Sequence, residues 1–207
     1  MVNVCSTNSW LKPAIASIEL CQMIVQGAWN EDSRLLQLPH FDKERSRGFE
    51  SEGVDNIFDF LDMEDDIRKG LLNGLSEKEI EDIVNYCNEY PDIEVKTHLP
   101  EEVLHIEEDG SIEVELIGSE EDESFNTQVT SSYYPQPLNA TWWLILGDSS
   151  TNTIYSISEI DLERTNKRVL QFTAPSTPGH YKWSLYFMTD GYIGCDQVQD
   201  VEFDVVE

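Results

Sequence analysis

One cysteine near the C-terminus poses the first chemical question. Cys195 stands in LYFMTDGYIGCDQ, residues 185–197, between a glycine and an aspartate. A cysteine nucleophile needs a lowered pKa and a base within hydrogen-bond reach. The candidate bases are the 4 histidines, His40, His98, His105 and His180, and none lies in the local signature of a thiol enzyme. Gly191 and Gly194, just before Cys195, instead bracket a turn or bulge between two strands. The thiol therefore reads as a small apolar filler, and no catalytic residue is assigned.

Metal and phosphate chemistry find no better footing. Cys5, Cys21, Cys87 and Cys195 are far apart, so no C-x-x-C half-site exists, and sparse cysteines of this kind suit a reducing compartment. His98 and His105 lack the spacing of zinc ligands. EEDGSIE around Gly110 fails as a calcium loop, because His105 and Leu116 stand where Asp and Glu are required. There is no glycine-rich phosphate loop and no G-K-[ST]. Neither a cofactor site nor a metal site is assigned.

The aromatic residues suggest binding instead. Adjacent side chains on a strand point to opposite faces. Of Trp142 and Trp143, one ring must therefore enter the sandwich core while the other faces out, either onto the helix-loop-helix domain of the same chain or towards a partner. Tyr133 and Tyr134, just upstream, extend the patch. Tyr133, Tyr134, Trp142 and Trp143 are the candidate partner-binding residues.

The composition narrows the partners. The net charge is −28, and no Lys or Arg occurs from Thr97 to Glu163. Nucleic-acid affinity depends on neutralising phosphates, so this chain is read as making little or no direct contact with RNA or DNA. A basic partner surface suits it better. No apolar run is long enough to span a bilayer, and the N-terminus lacks the charged and apolar regions of a signal peptide. Residues 1–5 read as the end of something longer, with nothing to pack against.

The elements that must position these residues follow from periodicity. Residues 10–29 read as one helix capped by Asn8 or Ser9, with Pro13 in its first turn. Its face is wide and apolar, and Glu19, Gln22 and Gln26 form the polar stripe. Such a helix needs neighbours on most sides, which suggests a truncated bundle that aggregates or dimerises in isolation. Short helices follow: one capped by Asp42, one over 54–61, one over 64–72, and one opened by the Ser76/Glu79 capping box and ended by Pro91. From Ile93 the pattern alternates. Strands are read at 93–99, 111–117, 141–147, 153–160, 168–174, 180–189 and 200–206, with 118–124 as an acidic loop. The fold class is α+β, multidomain. Residues 1–38 are the last helix of a bundle with a connector, 39–91 a helix-loop-helix domain, and 92–207 an immunoglobulin- or fibronectin-III-like β-sandwich.

The motif order WLKPAIASIELCQMIVQGAW, DSRLLQLPHF, MEDD, WWLILGD and LYFMTDGYIGCDQ resembles the C-terminal part of the Sec-sixty-three/Brl-type unit of Ski-two-like RNA helicases. It is most similar to that unit in the second cassette of the spliceosomal members. The resemblance covers residues 9–206. It implies a non-catalytic, nuclear protein-interaction and scaffolding module in pre-mRNA splicing. Its partners would be spliceosomal proteins and the rest of a parent ATP-dependent helicase, with no cofactor and no membrane. By the same resemblance, LYFMTDGYIGCDQ is a structural signature and Cys195 a structural residue. One departure is the segment before Trp142, YYPQPLNAT, which is usually richer in lysine. The same module also fits a ribosome-quality-control or transcription-coactivator helicase, which would be cytoplasmic or nuclear, or the endoplasmic-reticulum translocation protein. A free-standing enzyme using Cys195 is the rival of another class.

Overall fold

The computed structural model describes residues 1–118, 128–160, 162 and 165–207. The acidic loop expected at 118–124 falls, beyond Gly118, outside the described residues. The helices are α1 (Val2–Thr7), α2 (Leu11–Gln26), α3 (Lys43–Glu50), α4 (Ile57–Asp62), α5 (Asp65–Leu71) and α6 (Glu77–Glu89), with a 3-10 turn at Arg34–Gln37. The strands are β1 (Ile93–His98), β2 (Val103–His105), β3 (Asp109–Gly118), β4 (Trp142–Asp148), β5 (Thr153–Ile160), β6 (Thr165–Thr173), β7 (Gly179–Thr189) and β8 (Gln197–Val206). Mixed helix and sheet make this an α+β fold.

The short helices start where their caps dictate. The Asp42 carboxylate accepts from the amides of Glu44 and Arg45, and Ser76 and Glu79 form the capping box of α6. The start of α4 moves to Asn56, whose side chain accepts from the Asp59 amide, so residues 54–55 are not helical. Within this region Phe41, Phe49 and Phe60 pack with ring centroids 5.3–6.0 Å apart.

Two sheets follow, ordered β1-β3-β6 and β2-β8-β7-β4-β5. All pairs are antiparallel except β2 with β8. β2 is not expected from the sequence, because a three-residue strand shows no period. The sheets share one apolar core, where Phe172 of β6 lies 5.2 Å from Trp183 and 5.5 Å from Phe203. They are also stitched at one edge. Gln197 and Gln199 of β8 donate to the carbonyls of Ile93 and Val95 on β1, each at 2.5 Å. Two orphan acceptors of an edge strand are satisfied in this way.

The N-terminal helices cover the outer face of β4, β5 and β7, contrary to the expectation that residues 1–5 have no neighbour. Cys5, Leu11, Ala14 and Ile18 pack on Ile145, Ile154 and Met188. β4 is thereby buried on both faces, which explains its nearly unbroken apolar run. Gly147 makes the approach possible: a Cβ there would lie 2.8 Å from both the Leu11 side chain and the Thr153 carbonyl. The expected cap of α2 is also corrected. Asn8 ends α1, and Trp10 occupies the N-cap position of α2 without a side-chain bond. The first turn is capped from the β4–β5 hairpin instead. The Asn152 side chain accepts from the Lys12 amide at 2.7 Å, and its carbonyl from the Leu11 amide at 3.2 Å.

Candidate functional site

The signature segment at residues 189–197 is where three parts of the chain meet. Gln22 of α2 donates to the Thr189 carbonyl at 2.6 Å and to the Asp196 carboxylate at 2.8 Å. Gln26, one turn on, donates to the Gly191 carbonyl at 2.6 Å. Gln37 of the 3-10 turn grips Ile193 twice, donating to its carbonyl at 2.7 Å and accepting from its amide at 3.1 Å. Tyr90 donates to that same carbonyl at 2.9 Å, and the Tyr86 hydroxyl lies 3.2 Å from both Gln26 and Gln37. Asp190 exchanges two bonds with the backbone of Thr141, fixing the approach to β4.

Gln22 and Gln26 are therefore buried, not part of a solvated stripe. The expected polarity of α2 is turned round. Its inner face carries glutamines because an irregular segment offers carbonyls that need donors. Part of its apolar surface, together with the exposed Cys21, is left outside.

Cys195 lies inside this hub. Burial, and next the neighbouring Asp196 carboxylate, push its thiol well above the usual range, so it is held as the un-ionised thiol. The histidines are placed elsewhere. His40 pairs with Asp82 at 2.8 Å, His180 with Asp204 at 2.9 Å, and His105 bonds the Glu207 carbonyl. His98 lines a groove on the outer face of the three-stranded sheet. The hydrogen bonds of this arrangement hold a backbone in place, and none of the four histidines is among the partners of Cys195. Among the described residues, no group of three or more His, Cys, Asp or Glu side chains could hold a metal ion.

The four aromatic candidates part company. Trp142 is 3% exposed and stacks on Phe187 at 4.7 Å. Trp143, on the opposite face, is half-buried against the N-terminal helices, and not against the helix-loop-helix region. Tyr134 is half-buried on the main core. Tyr133 is 58% exposed, with its ring over Gly27 at the end of α2. Ser131 holds this turn, accepting from the amides of Tyr133 and Tyr134 and donating to the Val25 carbonyl.

Around Tyr133 the geometry adds residues that the sequence alone does not single out. Ile24 (60% exposed) and Trp29 (69% exposed), with Leu20, Met23 and Ala28, line an open apolar depression of about 310 Å³ beside Gly27. The available signal is the phase of α2, where Leu20, Met23 and Ile24 fall off the buried face. The depression and Tyr133 form one apolar surface at the end of α2, of the kind that marks contact with another polypeptide.

Residues 1–202 match the family described as the Sec63 Brl domain. The chain is 39% identical over 206 residues to the U5 small nuclear ribonucleoprotein 200 kDa helicase of Homo sapiens, covering 100% of this chain and 10% of that protein. It is 37% identical over 209 residues to the DExH-box ATP-dependent RNA helicase DExH12 of Arabidopsis thaliana, covering 99% and 10%. It is 36% identical over 211 residues to the activating signal cointegrator 1 complex subunit 3-like protein of Dictyostelium discoideum, covering 97% and 9%. The chain thus spans about 10% of the length of the curated relatives it matches.

Proposed function

The chain belongs to the Sec63 Brl domain family, and on that premise we propose that it is a non-catalytic protein-interaction and scaffolding module of a spliceosomal RNA helicase. It acts in pre-mRNA splicing in the nucleus, within a parent chain whose other parts carry the ATPase. Its units are the bundle helix and connector (1–38), the helix-loop-helix domain (39–91) and an immunoglobulin-like sandwich (92–207). One observation carries the reading: the exposed apolar surface of Ile24, Trp29 and Tyr133 at the end of α2. Helices of the parent's bundle and spliceosomal proteins are the occupants that suit it. Of the four aromatic candidates, Tyr133 is the ring proposed to meet a partner, because it is the exposed one; Tyr134 and Trp143 are half-buried and Trp142 is buried in the core. The net charge of −28 supports little direct contact with RNA. Among the described residues no helix is long and apolar enough to cross a membrane.

The test places a photo-crosslinking phenylalanine analogue at position 133 of the full-length parent in nuclear extract. Cross-links to proteins of the U5 particle, or to helices of the parent itself, are the expected result. Cross-links to RNA, or none above those from a control position on β8, would overturn the reading. Recovery of transcription-coactivator proteins would favour a coactivator helicase as the parent, for which the similarity to the Dictyostelium protein speaks. Ribosomal proteins would point to a ribosome-quality-control helicase, and translocon proteins to the endoplasmic-reticulum translocation protein.

A further inference from the structure

A second apolar surface lies on the helix-loop-helix region and is separate from α2 and the signature segment. The facing sides of α5 and α6, with the end of α4, enclose a groove of about 360 Å³. Phe60, Leu72, Ile83 and Cys87 form its buried floor. Burial pushes the Cys87 thiol up to about 11, as expected of a dry floor. Above the floor stand Leu61 (42% exposed), Ile80 and Val84 (48% exposed). Ile80 and Val84 are one helical turn apart, so their side chains make a continuous ridge.

The charged side chains lining the groove itself are Asp65, Arg68 and Lys69, and the acidic excess lies beside it on α6. Glu77 and Glu81 stand one turn apart on α6, on the solvent side of that ridge, and both are exposed. Asp65 and Lys69 alternate along α5. Arg68 lines the groove but is already engaged, donating to the Leu61 and Met63 carbonyls with its guanidinium over the Phe60 ring. Across residues 39–91, Asp and Glu outnumber Lys and Arg by 15 to 6.

We propose that this groove docks an amphipathic helix of a basic partner protein. The partner's apolar stripe lies along Leu61, Ile80 and Val84, and its Lys/Arg flank faces Glu77 and Glu81. A second copy of this chain is a poor occupant, because it brings another −28 against the same surface. The proposal does not depend on the α2 surface and can fail or hold independently of it.

The probe is a short fluorescent helical peptide of leucine and lysine, with leucines at helical spacing, compared with its leucine/glutamate counterpart. Binding to the 207-residue chain is read by fluorescence anisotropy. Any protein this acidic attracts a cationic peptide, so the decisive variants add negative charge. Val84→Glu places it in the groove, and Val103→Glu places it on β2 at a valine that is likewise exposed. Groove docking predicts that Val84→Glu weakens binding by about tenfold or more, while Val103→Glu leaves it unchanged or tighter. Leu61→Gln, on the opposite wall, should reproduce the loss without any change of charge. Circular dichroism confirms that each variant folds. The proposal is overturned if Val84→Glu and Val103→Glu bind alike, if Leu61→Gln binds as wild type, or if the glutamate peptide binds as well as the lysine one.

Discussion

Asp196 shows how a single residue ties the hub to pH. Its carboxylate accepts from Gln22 at 2.8 Å and from the Thr189 amide at 3.1 Å. Burial outweighs these bonds and raises its pKa from 3.8 to about 6. Between those values the folded chain holds a proton that the unfolded chain has released. This group's contribution therefore favours folding at low pH and is lost as pH rises through 6. The size of the effect is about 3 kcal/mol, from about 1.4 kcal/mol for each tenfold change in proton affinity. Many carboxylates titrate in the same range, so the comparison must be with Asp196→Asn. Urea denaturation at pH 4, 5, 6 and 7 should show wild type losing stability relative to the variant as pH rises. Curves that stay parallel would mean that Asp196 titrates normally. Cys195, beside it, needs no such device: its thiol is simply buried.

At the scale of elements, α2 shows what is readable in the sequence and what is not. Its existence and start are legible from period and Pro13, but the expected span of 10–29 overruns the end: the structure runs from Leu11 to Gln26 and stops where Gly27 enters the left-handed region. Which face it buries is not legible, because Gln22 bonds a carbonyl 167 residues away, and a backbone carbonyl leaves no mark in a hydrophobic pattern. The opposite faces of Trp142 and Trp143 are legible from strand parity, although parity alone does not say which ring is buried. The Ser76 capping box is legible because all its parts lie within four residues, whereas the cap of α2 is hidden because Asn152 is distant. That cap can be tested directly. Asn152 has φ +58, where Gly is comfortable and Ala is strained. Asn152→Gly should lose the side-chain acceptor without straining the backbone, costing about 0.5–1.5 kcal/mol for the lost hydrogen bond. Asn152→Ala should cost about 1–2 kcal/mol more, from the left-handed backbone. Thermal denaturation with hydrogen exchange at Lys12 reads both. Wild-type stability in both variants would show that Trp10 alone suffices to start the helix.

For the whole molecule, the change from helical to alternating pattern at Ile93 marks a boundary in sequence, but the packing runs straight across it. Tyr86 of α6 and Tyr90, the residue that follows the helix, meet Tyr192 with centroids 6.3 and 5.5 Å apart. Gln37 and Tyr90 both close on Ile193, and one apolar cluster extends from Leu35 through α6 to β8. Elements that share a core and a buried polar network have little to gain from unfolding separately, since each would expose the other's unpaired groups. The helix-loop-helix region and the sheets should therefore melt as one cooperative unit. Calorimetry of the 207-residue chain should give a single transition whose van't Hoff and calorimetric enthalpies agree. Tyr192→Ala, which removes the ring at the junction, should lower that transition by several degrees or split it, since loss of a buried aromatic costs about 3–5 kcal/mol. Two resolved transitions in wild type would instead make residues 39–91 and 92–207 independent units, with the signature segment merely touching both. A single transition means that the segment around Cys195 works as the keystone of a rigid platform. Such a platform presents the α2 surface and the α5–α6 groove in a fixed relation, the property a scaffold needs if two partners are to be held together.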